Sequence, residues 1–276
     1  MVKNKKKKSR IRRYRRTTQM AVALTFVLVP WLNTKQINLV HGNFLCFNLA
    51  SIPLADPLAV LQIMVKNGYL SQDLIIGALI ALGIAFCLGT VFCSWICPYG
   101  LLSDLGQTVA GKWQGKQRGR AGNRSGFLLK LSVFFLGFAG FLVFSTTPVL
   151  NQLSLPAWYS RIFQFIFVQG FLSVAIWVLL LVLATEVVFR QRFWCRYICP
   201  QSVLLILAKQ LNPRRLKVGF DPGRCMGAKG DKSPCARSCN LGLDPKRLDH
   251  GLETVCTNCG NCITACSNCG KALTSI

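Results

Sequence analysis

The chain has 276 residues, 52% of them hydrophobic, with a mean hydropathy of +0.40 and 33 basic residues against 9 acidic ones. That composition excludes an ordinary soluble globular domain. The charge is dealt out in blocks between apolar runs, which also argues against a nucleic-acid binder, whose cations gather on one phosphate-binding face.

In chain order, residues 1–17 form a basic arm in which "KNKKKKSRIRRYRR" carries ten lysines and arginines. It reads as disordered, cytoplasmic and drawn to anionic lipid. Four windows then match the roughly 20 apolar residues that cross a bilayer: 20–31 with its flanks, 74–92, 127–150 and 162–189. A cleaved signal peptide competes for the first, but no small-x-small pattern follows Pro30 and Trp31, so a retained anchor is expected. The loop 111–130 holds six basic residues and the stretch after the fourth window fourteen, whereas 34–73 and 151–161 hold only Lys35, Lys66 and Arg161. Positive charge resists translocation, so the basic segments and both termini are assigned to the cytoplasm and the sparse segments to the outside. Segment 36–68 mixes apolar residues with prolines and reads as re-entrant or interfacial. Glu186, near the end of the fourth window, is expected to pair with Arg190 and Arg192.

Twelve of the fourteen cysteines fall in segments assigned to the reducing cytoplasm, which points to metal rather than disulfides. "FCSWICPYG" at 92–100 returns as "FWCRYICPQ" at 193–201, aligning Cys93 with Cys195, Cys97 with Cys199 and Pro98 with Pro200. The body therefore reads as two repeated helical hairpins, each ending in Cys-x-x-x-Cys-Pro and followed by an amphipathic run along the membrane surface. Two thiols one turn apart on a helix are too few for a cubane. Two such pairs about a pseudo-twofold axis supply four, so Cys93, Cys97, Cys195 and Cys199 are expected to converge on one metal centre. Separate redox dithiols, or simple helix-end markers, are the alternatives. Cys46 and Cys87 read as packing residues.

The tail carries "CTNCGNCITAC", in which Cys256, Cys259, Cys262 and Cys266 have the spacing that binds a [4Fe–4S] cluster. Zinc is the rival, although zinc sites usually split their ligands into two distant pairs. Upstream, "CMGAKGDKSPCARSC" holds Cys225, Cys235 and Cys239 but lacks a middle cysteine. Because the fourth cysteine of such a run serves the other cluster, one site takes Cys239, Cys256, Cys259 and Cys262. The second takes Cys225, Cys235 and Cys266, with Cys269 as its fourth thiol. A three-iron cluster, a non-cysteine ligand or a degenerate half are the other readings.

With the basic arm, "HGN" at 41–43, "PLADPL" at 53–58, the two Cys-x-x-x-Cys-Pro motifs and the ferredoxin run, nearly the whole chain resembles the NapH family, with its relatives MauN and the NosR-type membrane proteins. The resemblance implies a quinol dehydrogenase component that, with a ferredoxin-type partner, passes electrons toward a periplasmic reductase or cytochrome, of nitrate reductase type. It places Cys225, Cys235, Cys239, Cys256, Cys259, Cys262 and Cys266 among the ferredoxin ligands. The expected fold is all-α integral membrane: four transmembrane helices in two hairpins over 18–210, then a small cytoplasmic ferredoxin-like α+β tail over 211–276. The expected location is the bacterial inner membrane, and the expected cofactors are two tail [4Fe–4S] clusters and a third centre at the repeated motifs. His41 and Asp56, among the few ionisable groups of the outer segment, are the expected acceptors of quinol protons. An assembly factor for a periplasmic metalloenzyme and a zinc-bound or redox-sensing anchor are the rival functions.

Overall fold

The computed structural model describes residues 10–35, 40–43, 46–49, 52–68, 71–113, 125–144, 150, 153–169, 174–225, 233–250, 252–267 and 271–275. Helix α1 spans Arg10–Thr34 and carries the chain from basic to apolar sequence without a break. The boundary expected at residue 17 thus falls inside a helix, and residues 1–9 lie outside the described residues. Continuity is favoured because Arg15 is buried against a carboxylate of another helix instead of standing in solvent.

The repeat extends well beyond the two cysteine motifs. After α1 comes a three-stranded antiparallel meander, β1 (Val40–Asn43), β2 (Cys46–Leu49) and β3 (Ile52–Ala55). His41 faces Asn48 across β1 and β2, and Asn48 faces Pro53 of the edge strand β3, where a missing N–H costs the ladder least. Then follow α2 (Pro57–Asn67), α3 (Gln72–Leu88), the four-residue α4 (Phe92–Trp95) and α5 (Pro98–Trp113). In the second half α6 (Ser125–Phe144) stands for α1, and α7 (Leu155–Gln169), α8 (Val174–Phe189), α9 (Phe193–Tyr197) and α10 (Gln201–Gln210) stand for α2 to α5. The meander is a departure from the all-α expectation. Pro53, which cannot donate a backbone hydrogen bond, suits an edge strand better than a helix interior.

Two expectations about the membrane windows are corrected. The window 162–189 is not one helix: α7 ends at Gln169 and α8 begins at Val174, and the two pack together. The window 127–150 holds α6, but Leu150 lies back against it, its Cδ2 2.9 Å from where a Cβ on Gly137 would stand. The segments expected outside therefore turn inward. Leu150 packs with Phe134 of α6, Leu58 of α2 and Val203 of α10, and its amide donates to Gln62 Oε1 at 3.2 Å. Apolar sequence of this length was free to double back because each returning segment finds a buried partner, including Ser154 Oγ, which donates to Gln201 Oε1 at 3.0 Å.

Only α6 among the described helices is both long and apolar enough to cross a bilayer, with a mean hydropathy of 2.1 over Gly126–Val143 and 22% of that window buried. Helices α3 and α8 are shorter but also apolar. Large hydrophobic residues stand exposed on all three and on α1, among them Leu24, Leu79, Leu136 and Trp177.

Beyond α10 the chain forms a small unit. Strands β4 (Val218–Phe220) and β5 (Leu273–Ser275) pair antiparallel and enclose two short helices, α11 (Pro234–Arg237) and α12 (Asn261–Cys266), with 3-10 turns between them. Leu241, Leu243, Leu248 and Leu273 form its core together with Cys235, Cys262 and Cys266.

A buried ion cluster fastens this unit to the body. Asp104 of α5 meets Arg15 Nη2 through Oδ2 at 2.8 Å and Arg192 Nη2 through Oδ1 at 2.6 Å. The same Oδ1 accepts from Asn240 Nδ2 of the tail, and Arg192 N donates to Asn240 O at 2.9 Å. All three charged side chains are at most 4% exposed.

Candidate functional site

Each Cys-x-x-x-Cys-Pro motif folds the same way for a local reason. In the first, the amides of Ile96 and Cys97 both reach Phe92 O; in the second, those of Ile198 and Cys199 both reach Trp194 O. The second bond of each pair spans five residues, so the short helix ends on a widened turn. The proline that follows has no N–H to continue the ladder, and a new helix starts there. The second cysteine of each motif is left at the head of α5 or α10. Amides of Gly100 and Tyr99 face Cys97, and those of Ser202 and Gln201 face Cys199.

The four thiols converge. Cys93, Cys97, Cys195 and Cys199 line one cavity, closed by Phe92, Tyr99, Leu155, Pro156, Trp194 and Ile206. Leu155 and Pro156 belong to the returning segment, so the inward fold at 153–156 forms one wall of this space. Trp194 Nε1 holds it in place by donating to Leu153 O at 3.1 Å. Burial, then the nearby Cys93 sulfur, pushes the Cys97 thiol up to about 12, against the pull of the Gly100 amide. Burial and Cys199 push Cys93 up to about 11, opposed by Lys130, Arg192 and Lys209. Cys195 and Cys199 are raised by burial as well.

A second cavity lies alongside. Cys239, Cys256, Cys259 and Cys262 line it, with Arg15, Arg192, Asn240 and Gly260. These are the four cysteines that the crossing pattern groups together. Burial and then Cys259 push Cys239 up to about 12. Two left-handed residues, Asn258 (φ 50°) and Gly260 (φ 71°), shape the loop. Thr257 lines both cavities, and its carbonyl accepts from Ser94 Oγ at 2.6 Å. Cys256 O accepts from Thr90 Oγ1 at 2.9 Å and from Lys209 Nζ at 2.9 Å, and Cys259 O accepts from Arg15 Nη1 at 3.2 Å. The cysteine loop of the tail is thus pinned directly over the first motif.

The chemistry of the donors can be tested against a metal group. A lone zinc needs four sulfurs within about 2.3 Å of one point. Among the described residues no three His, Cys, Asp or Glu side chains close that tightly. Four thiols around one cavity, Cys97 and Cys199 buried and Cys93 and Cys195 half-buried, with cations and helix-start amides facing them, fit an anionic polynuclear cluster. Such a group replaces the thiol protons when it binds.

The other expected residues are distributed as follows. Cys235 and Cys266 are buried in the tail core and Cys225 packs against it; Cys269 lies outside the described residues. Cys87 is exposed, a correction to its expected packing role. The side chains of His41 and Cys46 lie outside the described residues. Asp56 is buried and caps α2, its Oδ1 accepting from Leu58 N at 3.3 Å; Oδ2 has no hydrogen-bond partner among the described residues. Glu186 accepts from Ser103 Oγ at 2.6 Å and Trp194 N at 3.1 Å, while Arg192 is engaged by Asp104. Residues that sequence reasoning did not single out are Lys130, Asp104, Arg15, Lys209 and Gln201.

The cap makes a prediction. Asp56→Ala should cost about 1 kcal/mol of stability through loss of the cap, with Asp56→Asn retaining most of it in chemical denaturation. Burial raises the Asp56 carboxyl from 3.8 to about 6, so folding favours its protonated form. Its contribution is complete below the unfolded value and fades as pH rises through about 6. Asp56→Asn should flatten that part of the pH profile.

Residues 70–117 and 169–218 each match the 4Fe-4S binding domain family. Each match contains one Cys-x-x-x-Cys-Pro motif, and the C-terminal cysteine run lies beyond both. The fold and the site thus define an iron–sulfur protein built on a duplicated unit. The methylamine utilization ferredoxin-type protein MauN of Methylobacillus flagellatus is 28% identical over 229 residues, covering 82% of this chain and 74% of the relative. The ferredoxin-type protein NapH of Haemophilus influenzae is 27% identical over 262 residues, covering 91% and 84%. NapH of Escherichia coli is 28% identical over 197 residues, covering 69% and 62%. The chain is thus similar to these ferredoxin-type proteins over most of its length. No solved structure matches it.

Proposed function

We propose that the chain is a membrane electron carrier that takes electrons from quinol and passes them through two adjoining iron–sulfur sites to a redox partner, in the manner of the ferredoxin-type NapH proteins. The observation that carries this is the pair of cysteine-lined cavities meeting at Thr257. Cys93, Cys97, Cys195 and Cys199 would hold one [4Fe–4S] cluster and Cys239, Cys256, Cys259 and Cys262 another; Cys225, Cys235, Cys266 and Cys269 would hold a further one in the tail. Bound clusters of this kind supply one-electron redox chemistry.

The chain's own residues do the rest. Phe92, Leu155, Trp194 and Ile206 keep water from the first site, while Thr90, Ser94, Lys209 and Arg15 fix the tail loop against it. In this proposal α1, α3, α6 and α8 cross the inner membrane with both termini in the cytoplasm, because lipid would cover their exposed apolar faces and the basic segments would stay inside. Asp56, whose buried Oδ2 has no hydrogen-bond partner among the described residues, and His41 are the proposed acceptors of quinol protons.

The test is anaerobic mixing of the full chain in nanodiscs with a reduced quinol analogue. Bleaching of the iron–sulfur absorbance before any partner is added supports the proposal. Intact clusters that stay oxidised across a range of quinol potentials contradict it and favour a role in assembly.

A further inference from the structure

Lysine at position 130 is the one charged residue in the apolar helix α6. Near the end of a membrane helix, lysine normally runs its stem along the apolar surface and sets the ammonium in the headgroup layer. Here the opposite holds. Lys130 is 2% exposed while its neighbours Leu128 and Leu129 are 63% and 52% exposed. The side chain turns into the protein, lines the cavity of the repeated motifs and donates to Cys195 O at 2.8 Å. Cys93, Cys195 and Cys199, which come from both halves of the repeat, line the same cavity.

A buried ammonium costs several kcal/mol unless a negative charge lies nearby. The described ion pairs place no carboxylate on Lys130. Hydrogen bonding to one carbonyl satisfies a donor but supplies no counter-charge. An anionic group held by the four cysteines would supply that charge and keep the amine protonated. No second lysine lines this cavity, so the compensation is one-sided: it enters from the second half of the repeat alone.

We propose that Lys130 is the charge-compensating residue of the centre formed by Cys93, Cys97, Cys195 and Cys199, stabilising its more negative, reduced state and so raising its reduction potential relative to the tail site. This rests on the assignment of that centre in the preceding subsection. The physical reason is that reduction adds one negative charge, and a desolvated cation at the rim favours that state more than water would. The tail loop has its own buried amine, Lys209, on the Cys256 and Glu253 carbonyls at 2.9 and 2.8 Å. Lys209 acts first on Cys256 but also on Cys93, whereas Lys130 lines only the cavity of the repeated motifs, so Lys130 is the residue that addresses that site alone.

The experiment is an EPR-monitored redox titration of the full chain in nanodiscs, comparing wild type with Lys130→Met and Lys130→Arg. Signals are assigned beforehand by Cys97→Ser and Cys259→Ser. The expected result is a lower midpoint for the Cys97-dependent signal in Lys130→Met, a value near wild type in Lys130→Arg, and an unmoved Cys259-dependent signal throughout. An unchanged Cys97-dependent midpoint in Lys130→Met, or an equal shift of both signals, overturns the inference. If Lys130→Met fails to assemble the centre, iron content decides: loss of about four irons in Met but not in Arg supports charge compensation, and loss in both overturns it. A wild-type chain with no Cys97-dependent signal would instead refute the underlying assignment.

Discussion

Serine at Cys97 and serine at Cys199, introduced one at a time, are each expected to abolish the same EPR signal and to remove about four irons per chain. The two residues lie in different halves of the sequence, yet both line one cavity with Cys93 and Cys195. Their surroundings are matched: each follows a widened turn that closes on the residue before the motif's first cysteine, and each sits at the start of the next helix. Loss of one thiolate from a cluster at a buried site leaves an iron with no replacement ligand from solvent. The tail signal should survive in both variants, because its cavity is built from Cys239, Cys256, Cys259 and Cys262. Quantitative EPR with iron and sulfide analysis reads the outcome. Two independent, partial losses would show separate dithiols instead.

Asp104→Ala should have the largest effect on stability of any substitution outside the cysteines. The carboxylate is the shared partner of Arg15 and Arg192, all three side chains being nearly inaccessible, and its Oδ1 also holds Asn240. Breaking a buried ion pair by deleting one member typically costs about 3–5 kcal/mol, since a charge is left buried without compensation. Here two guanidinium groups are orphaned at once. Because they come from α1 and from the turn before α9, and Asn240 from the tail, the tail should release from the body. Thermal unfolding and limited proteolysis between 211 and 240 would show both effects. A variant as stable and as protease-resistant as wild type would mean that the cluster contributes nothing to docking.

Which cysteines line the two cavities was legible in the sequence because they stand in repeated spacing. The alignment of 92–100 with 193–201 was enough to expect four converging thiols, and the crossing pattern of a ferredoxin run was enough to group Cys239 with Cys256, Cys259 and Cys262. The path of the body was less legible. Hydropathy sees the apolar stretch 162–189 as one span, but cannot see that Leu153 and Ser154 reach Trp194 and Gln201, since those contacts are single hydrogen bonds between distant residues. Charge was the other blind spot. Counting Lys130 with the basic residues of a loop hides that it alone lies within an apolar helix, a signal that was present in the sequence. Asp104 and Arg15 gave no such signal, because an acidic residue in an amphipathic run and an arginine in a basic arm both look solvated until their partners are known.

The account stands on thiolates from the two Cys-x-x-x-Cys-Pro motifs sharing one iron–sulfur group. Iron and acid-labile sulfide per chain, measured on anaerobically purified protein beside a variant with serine at Cys93, Cys97, Cys195 and Cys199 together, tests it most directly. The account predicts equal iron and sulfide in the wild type and a loss of about four of each in the variant, with the tail absorbance retained. Zinc in place of iron, or the same iron content in both proteins, would contradict it.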